Sequence, residues 1–122
     1  MSAGAPIVPG SVVERLVEQA PVGMSVHDAA GRCLVINQAL ADINGVAVEE
    51  AIGRTVEEYL PSLAGRLQPV LEQVVETGVE VRTEVQGETP AAPGRLRRWR
   101  TSFRPLDLDD GTTGVAVTVE EV

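Results

Sequence analysis

Hydrophobic and polar residues along the 122-residue chain follow two different periods. Strand-like alternation, which puts every second residue on one face, occurs twice. From Val22 to Asp28, Val22, Met24 and Val26 alternate with Gly23, Ser25 and His27. From Gly114 to Glu120, Val115, Val117 and Val119 alternate with Gly114, Ala116 and Thr118. Ala29-Ala30-Gly31 turns the first of these into the aliphatic run Arg32 to Ile36, which predicts a hairpin. Two further strands are predicted over Glu80–Gln86 and Leu96–Leu106, and Asp109-Asp110-Gly111 turns the chain into the last one. The loop Gly87–Gly94 holds no large apolar side chain, so it has little to bury and is expected to be the most mobile internal segment.

Helical spacing fills the rest. Ser11 and Glu14 form a capping box ahead of an amphipathic helix whose stripe is Val12, Val13, Leu16, Val17 and Ala20, and Pro21 stops it. Asn37 is a good N-cap for a helix to about Asn44, with Gly45 as its stop. Short helices follow around Val48–Ala51 and from near Thr55 to before Pro61. Ser62 caps a longer helix to Thr77, with Leu63, Leu67, Val70, Leu71, Val74 and Val75 as its stripe; Pro69 within it predicts a kink or a late start. Residues 1–10 read as a flexible tail and 11–122 as one α+β domain.

Composition narrows the chemistry. Only Tyr59, Trp99 and Phe103 are aromatic, so the core is aliphatic. A net charge of −8 argues against nucleic acid or an anionic membrane as partner. No stretch approaches the roughly 20 apolar residues of a spanning helix, and the uncharged start has no basic residue, which makes the cytoplasm the default location. One cysteine and one histidine exclude a disulfide and any multi-thiolate metal site. Cys33 and His27 flank the hairpin turn, yet a catalytic dyad also needs a third group to orient the imidazole, and ordinary hairpin residues are the stronger reading. Glu49-Glu50 and Glu57-Glu58 are neighbours that do not face each other on a helix, and Asp109-Asp110 is turn chemistry. No enzymatic activity is expected.

The order of elements and several local patterns together resemble the PAS domain of bacterial signalling proteins. Ala20-Pro21-Val22-Gly23 resembles that family's approach to its first strand, and Asp28–Asn37 (DAAGRCLVIN) its first hairpin. Gly45, Glu50, Ile52, Gly53 and Arg54 fall where the family has a Gly, a Glu and a Gly-Arg pair. Phe103-Arg104-Pro105-Leu106, then Asp110-Gly111 and Gly114, resemble its closing strands, while Glu121-Val122 stands where an Asp-Ile/Val-Thr exit motif is common. The resemblance implies a five-stranded antiparallel sheet with short helices on one face. It also implies a sensor that binds a small ligand, forms a homodimer and relays to an effector outside this chain, such as a kinase, cyclase, phosphatase or regulator of a two-component system. A ligand-free protein–protein interaction module is the alternative.

It further implies no flavin adduct, since Val56 occupies the reactive-cysteine position, and no haem, since Ser62–Thr77 lacks a histidine. Simple alternation turns the valines of both outer-sequence strands inward. The resemblance implies the opposite parity, with a mixed pocket of Ser25, His27, Trp99, Thr101, Phe103 and Thr118. Val22, Met24, Val26, Val115, Val117 and Val119 would then form an outer apolar stripe, covered by Val12, Val13, Leu16 and Val17 of the first helix. Arg98, Arg100 and Arg104 share the other face of their strand and are expected to pair with Glu80 and Glu84.

Overall fold

The computed structural model describes residues 15 and 18–122. Arg15, Glu18 and Gln19 are helical, within the span predicted for the first helix. Val12, Val13, Leu16, Val17 and the tail 1–10 lie outside the described residues.

Five antiparallel strands form one sheet in the order β2-β1-β5-β4-β3. They are β1 (Gly23–His27), β2 (Cys33–Ile36), β3 (Val81–Gly87), β4 (Arg97–Asp107) and β5 (Thr113–Glu121). Between β2 and β3 come α1 (Gln38–Asn44), α2 (Val48–Ala51), α3 (Val56–Tyr59) and α4 (Pro61–Thr77). From Gly23 onward the expected element order holds, with boundaries within about a residue or two.

Local signals explain the helix ends. The Asn37 side chain accepts from Leu40 N at 2.9 Å, capping α1, and from Met24 N at 3.0 Å, while its amide donates to Val22 O at 2.8 Å. One side chain therefore caps a helix and ties it to β1. Gly45 ends α1 at φ 75° and Gly78 ends α4 at φ 68°, both in the left-handed region that glycine tolerates. Glu50 and Glu58, set aside in the sequence as catalytic carboxylates, accept from the backbone N–H of Ala47 and Thr55 and so hold the starts of α2 and α3. Ser62 does not cap α4. It donates to Glu88 O at 2.8 Å, and the helix begins at Pro61, whose missing N–H costs nothing in a first turn. The helix continues through Pro69, so no late start occurs.

Register sets the faces of the sheet, and it corrects the parity implied for β5. Gly23, Ser25 and His27 stand opposite Val119, Val117 and Val115, and Phe103 and Thr101 stand opposite Val117 and Val119. Directly opposed residues in an antiparallel pair share a face. Val115, Val117 and Val119 therefore point with Ser25, His27, Thr101 and Phe103 toward the helices, and Thr118 points away, hydrogen-bonded to Ser102. The implied outer valine stripe of β5 is thus inside. A Thr118 beside Ser25 would need a one-residue slip, which would expose all three valines. Burying each contributes about 1.5–3 kcal/mol, so alternation wins. The outer face keeps Met24 and Val26 from β1, with Ala116 and Thr118 from β5.

Candidate functional site

A cavity of about 50 Å³ lies between the inner face of the sheet and α4. Ser25 and His27 reach it from β1, Trp99, Thr101 and Phe103 from β4, and Val117 and Val119 from β5. Five of the six pocket residues expected from sequence are therefore together, and Thr118 is not. Helical residues that pattern reading did not assign to the site complete it, among them Ile43, Asn44, Tyr59 and Leu67. Of these, the sequence pattern marks only Leu67, as part of the apolar stripe of the long helix. Val56, at the flavin-cysteine position, is also on the wall. None of the lining residues is charged.

Trp99 Nε1 on this wall is buried without a hydrogen-bond partner among the described residues, and His27 Nδ1 has only the Gly31 carbonyl nearby, short of good hydrogen-bond geometry. The other His27 nitrogen, Nε2, lies 3.0 Å from Ser25 Oγ. At 3% exposure His27 cannot hold a charge cheaply: burial lowers its pKa from 6.5 to about 4, against the nearby Gly31 carbonyl and Asp28 carboxylate. The imidazole is therefore neutral near pH 7. β1 and β2 slip register at this point, pairing Val26 with Val35 but His27 with Cys33, which leaves Leu34 as a bulge beside the site.

Cys33 is fully buried, and its thiol lies 3.5 Å from Val35 O. Burial pushes the thiol up to about 11 and the imidazole of His27 down, the reverse of what a thiolate–imidazolium pair requires. Among the described residues no cluster of three His, Cys, Asp or Glu could hold a metal ion, and no helix is long and apolar enough to cross a membrane.

The wall is braced from outside by a residue the pattern did not single out. Arg97, two positions before Trp99 and on the same face, has its guanidinium carbon 5.0 Å from the indole centroid. It makes a bidentate pair with Glu121 at 2.8 and 2.9 Å, which holds the Arg97 pKa up and the Glu121 carboxyl below its usual range. Arg97 Nη1 also donates to Ile43 O at 2.8 Å and to Thr89 Oγ1 at 2.9 Å. Thr89 is 2% exposed, so the 87–94 loop buries more than its composition implied. The i, i+2 spacing of Arg97 and Trp99 on a strand was the available signal.

On the outer face, Arg98 reaches Glu84 at 3.7 Å as expected, but Arg100 pairs with Glu120 of β5 at 3.2 Å and Arg82 takes Glu80. A groove of about 310 Å³ runs there between Arg82, Arg100, Arg104 and Thr118.

The chain matches the family model of the PAS fold over residues 17–122. Among curated proteins no match was found. The PAS domain of Bordetella pertussis BvgS superposes with a TM-score of 0.76 at 22% identity, covering 91% of this chain and 84% of that one. Vibrio cholerae VqmA, described in one structure as a dimer, gives 0.76 at 23% identity over 95% of this chain. VqmA bound to DPO gives 0.76 at 24% identity over 88% of this chain. The chain spans about half the length of the VqmA structures. With residues 17–122 matched and all five strands in place, this chain belongs to the PAS fold family, whose members are sensory signal-transduction modules.

Proposed function

We propose that this chain is the sensing module of a signalling protein and takes up a small uncharged molecule in the cavity between α4 and the sheet. The observation that carries this reading is Trp99 Nε1, buried on a wall residue without a hydrogen-bond partner among the described residues. An unmade hydrogen bond on a buried polar group costs about 1–3 kcal/mol. A guest that accepts from the Trp99 N–H recovers that cost. Charge is unwelcome, because no lining residue would neutralise it. The volume of about 50 Å³ admits only a few non-hydrogen atoms unless a wall residue such as Leu67 swings aside.

Trp99 is the only tryptophan, so its emission reports on this wall alone. Native mass spectrometry of the freshly purified full chain is expected to show a copurifying mass that denaturation releases, with a shift in Trp99 emission on its removal. DPO, the molecule named in a VqmA complex, is a first probe to add back. A bare mass, together with Trp99 emission indifferent to DPO and to other small neutral probes, would overturn the reading. That outcome would favour a ligand-free interaction module, the second reading, whose support is the small size of the cavity.

The same proposal includes a homodimer formed through the Ser11–Ala20 segment, whose apolar stripe would seat on Met24, Val26 and Ala116 of the outer face. Burying Leu16 is worth about 1.5–3 kcal/mol. Analytical ultracentrifugation is expected to find a dimer for the wild type and a tenfold or weaker dimer for Leu16→Glu. A wild type that stays monomeric at high concentration removes the dimer from the proposal.

A further inference from the structure

We propose that the open edge of β3 is an interface for a second copy of this chain, the two β3 strands pairing antiparallel about a two-fold axis at Thr83. This surface lies at the end of the sheet, apart from the cavity and from the Met24, Val26 and Ala116 face, and it goes beyond the function proposed above.

The fold closes one edge of its sheet and leaves the other open. At β2 the chain returns to cover the edge: Cys33 N donates to Arg54 O at 2.9 Å, and Gly53 N donates to Cys33 O at 2.7 Å. β2 is also only four residues long and carries the bulge at Leu34. β3 has neither protection. It runs for seven residues without a proline and pairs with β4 unbroken from Val81 to Gly87. Among the described residues its backbone bonds only to β4, so its outward N–H and C=O groups are open. An edge of this kind is a template for another strand.

The side chains of β3 fit β3 itself. Antiparallel pairing about Thr83 sets Val81 opposite Val85 of the second copy, Arg82 opposite its Glu84, and Thr83 opposite its Thr83. Opposed residues share a face. On the outer face two arginines and two glutamates therefore alternate in a square, while valines and threonines meet on the helix side. Moving the axis one residue either way sets Arg82 against Arg82 or Glu84 against Glu84, so charge fixes the register. Both side chains are available. Arg82 is 81% exposed and holds only Glu80 of its own strand segment, and Glu84 stands 3.7 Å from Arg98. Exposed pairs of this kind exchange partners at little cost. Thr83 at the axis is exposed as well. The overlap from Val81 to Val85 is small, so the contact is weak and forms as concentration rises.

Thr83→Cys in the full chain tests this directly, because the axis sets the two opposed Cα atoms about 4.5–5.5 Å apart, within disulfide reach. Cys33, the only native cysteine, is fully buried with its thiol pKa pushed up to about 11, so it takes no part. With oxidised glutathione, Thr83→Cys is expected to form a covalent dimer about tenfold faster than Gln86→Cys, an exposed position that the axis keeps far from its copy. Adding Arg82→Glu is expected to slow the cross-link about tenfold by opposing glutamates, and adding Glu84→Arg as well to restore it. Arg82, Thr83, Glu84 and Gln86 are all exposed, so these variants keep the fold. Leu16→Glu is expected to leave the rate unchanged, so this contact and the dimer proposed above fail separately. Equal rates for Thr83→Cys and Gln86→Cys overturn the proposal, as does a Thr83→Cys rate indifferent to Arg82→Glu. So do outward β3 amides already protected from hydrogen exchange in dilute wild type, which would mean that residues 1–14 of the same chain cover the edge.

Discussion

Gly45→Ala is expected to destabilise the chain by about 3–4 kcal/mol, and Gly78→Ala by only about 1 kcal/mol, although both glycines end a helix in the same way. Each has positive φ, 75° and 68°, so an alanine at either place incurs the left-handed backbone penalty. The difference lies in what a methyl would meet. At Gly78 nothing stands within 4 Å of the added carbon, whereas at Gly45 it would overlap the Ala91 backbone nitrogen and lie 2.7 Å from Ala91 Cα. Backbone cannot swing away as a side-chain tip can. Relief requires the 87–94 loop to lift, which strains the bonds of Thr89 and Arg97 to Ile43 O. Urea denaturation of both variants, at unchanged slope, measures the gap. Equal losses would mean that the loop yields freely and that its contact with the end of α1 contributes nothing.

Lowering the pH from 7 to 5 is expected to cost about 2 kcal/mol of stability, and His27→Gln to abolish most of that loss. In the folded chain the imidazole has a pKa of about 4, against 6.5 when unfolded. Below 6.5 the unfolded state binds a proton that the folded state refuses, so stability falls with pH and levels off only near 4. The carboxylates act in a different window. Glu58, Asp110 and Glu121 have depressed pKa values, through the Thr55 backbone, Thr112 and Arg97 respectively. Their stabilisation is present above their ordinary values of 4.5, 3.8 and 4.5 and is lost below them. Thermal melts at pH 7, 6 and 5 therefore isolate the histidine. The same slope in wild type and His27→Gln would show that His27 is solvated and not enclosed by the cavity wall.

What could be read from the chain was whatever neighbours in sequence decide. Asn37 before α1, Gly45 and Gly78 after their helices, and the alternation of β1 and β5 each act over a few residues, so element order and type followed directly. The inward placement of Trp99, Thr101 and Phe103 was legible too, because β4 alternates these with arginines that need water. Which way β5 faces is not a property of β5. Its alternation allowed either face, and only pairing with Ser25 and His27 on one side and Phe103 on the other turned its valines inward and Thr118 out. Composition likewise described the 87–94 loop as having nothing to bury, because composition counts apolar side chains. What holds that loop is polar and distant in sequence: Thr89 bonds Ile43 O, and Arg97 joins both to Glu121. Local periodicity and capping thus determined the elements, and the resemblance to the PAS domain implied most of the cavity wall. Register and long-range hydrogen bonds, which depend on residues far apart in the chain meeting in space, decided the faces of the sheet, the size of the cavity and the bracing of its wall.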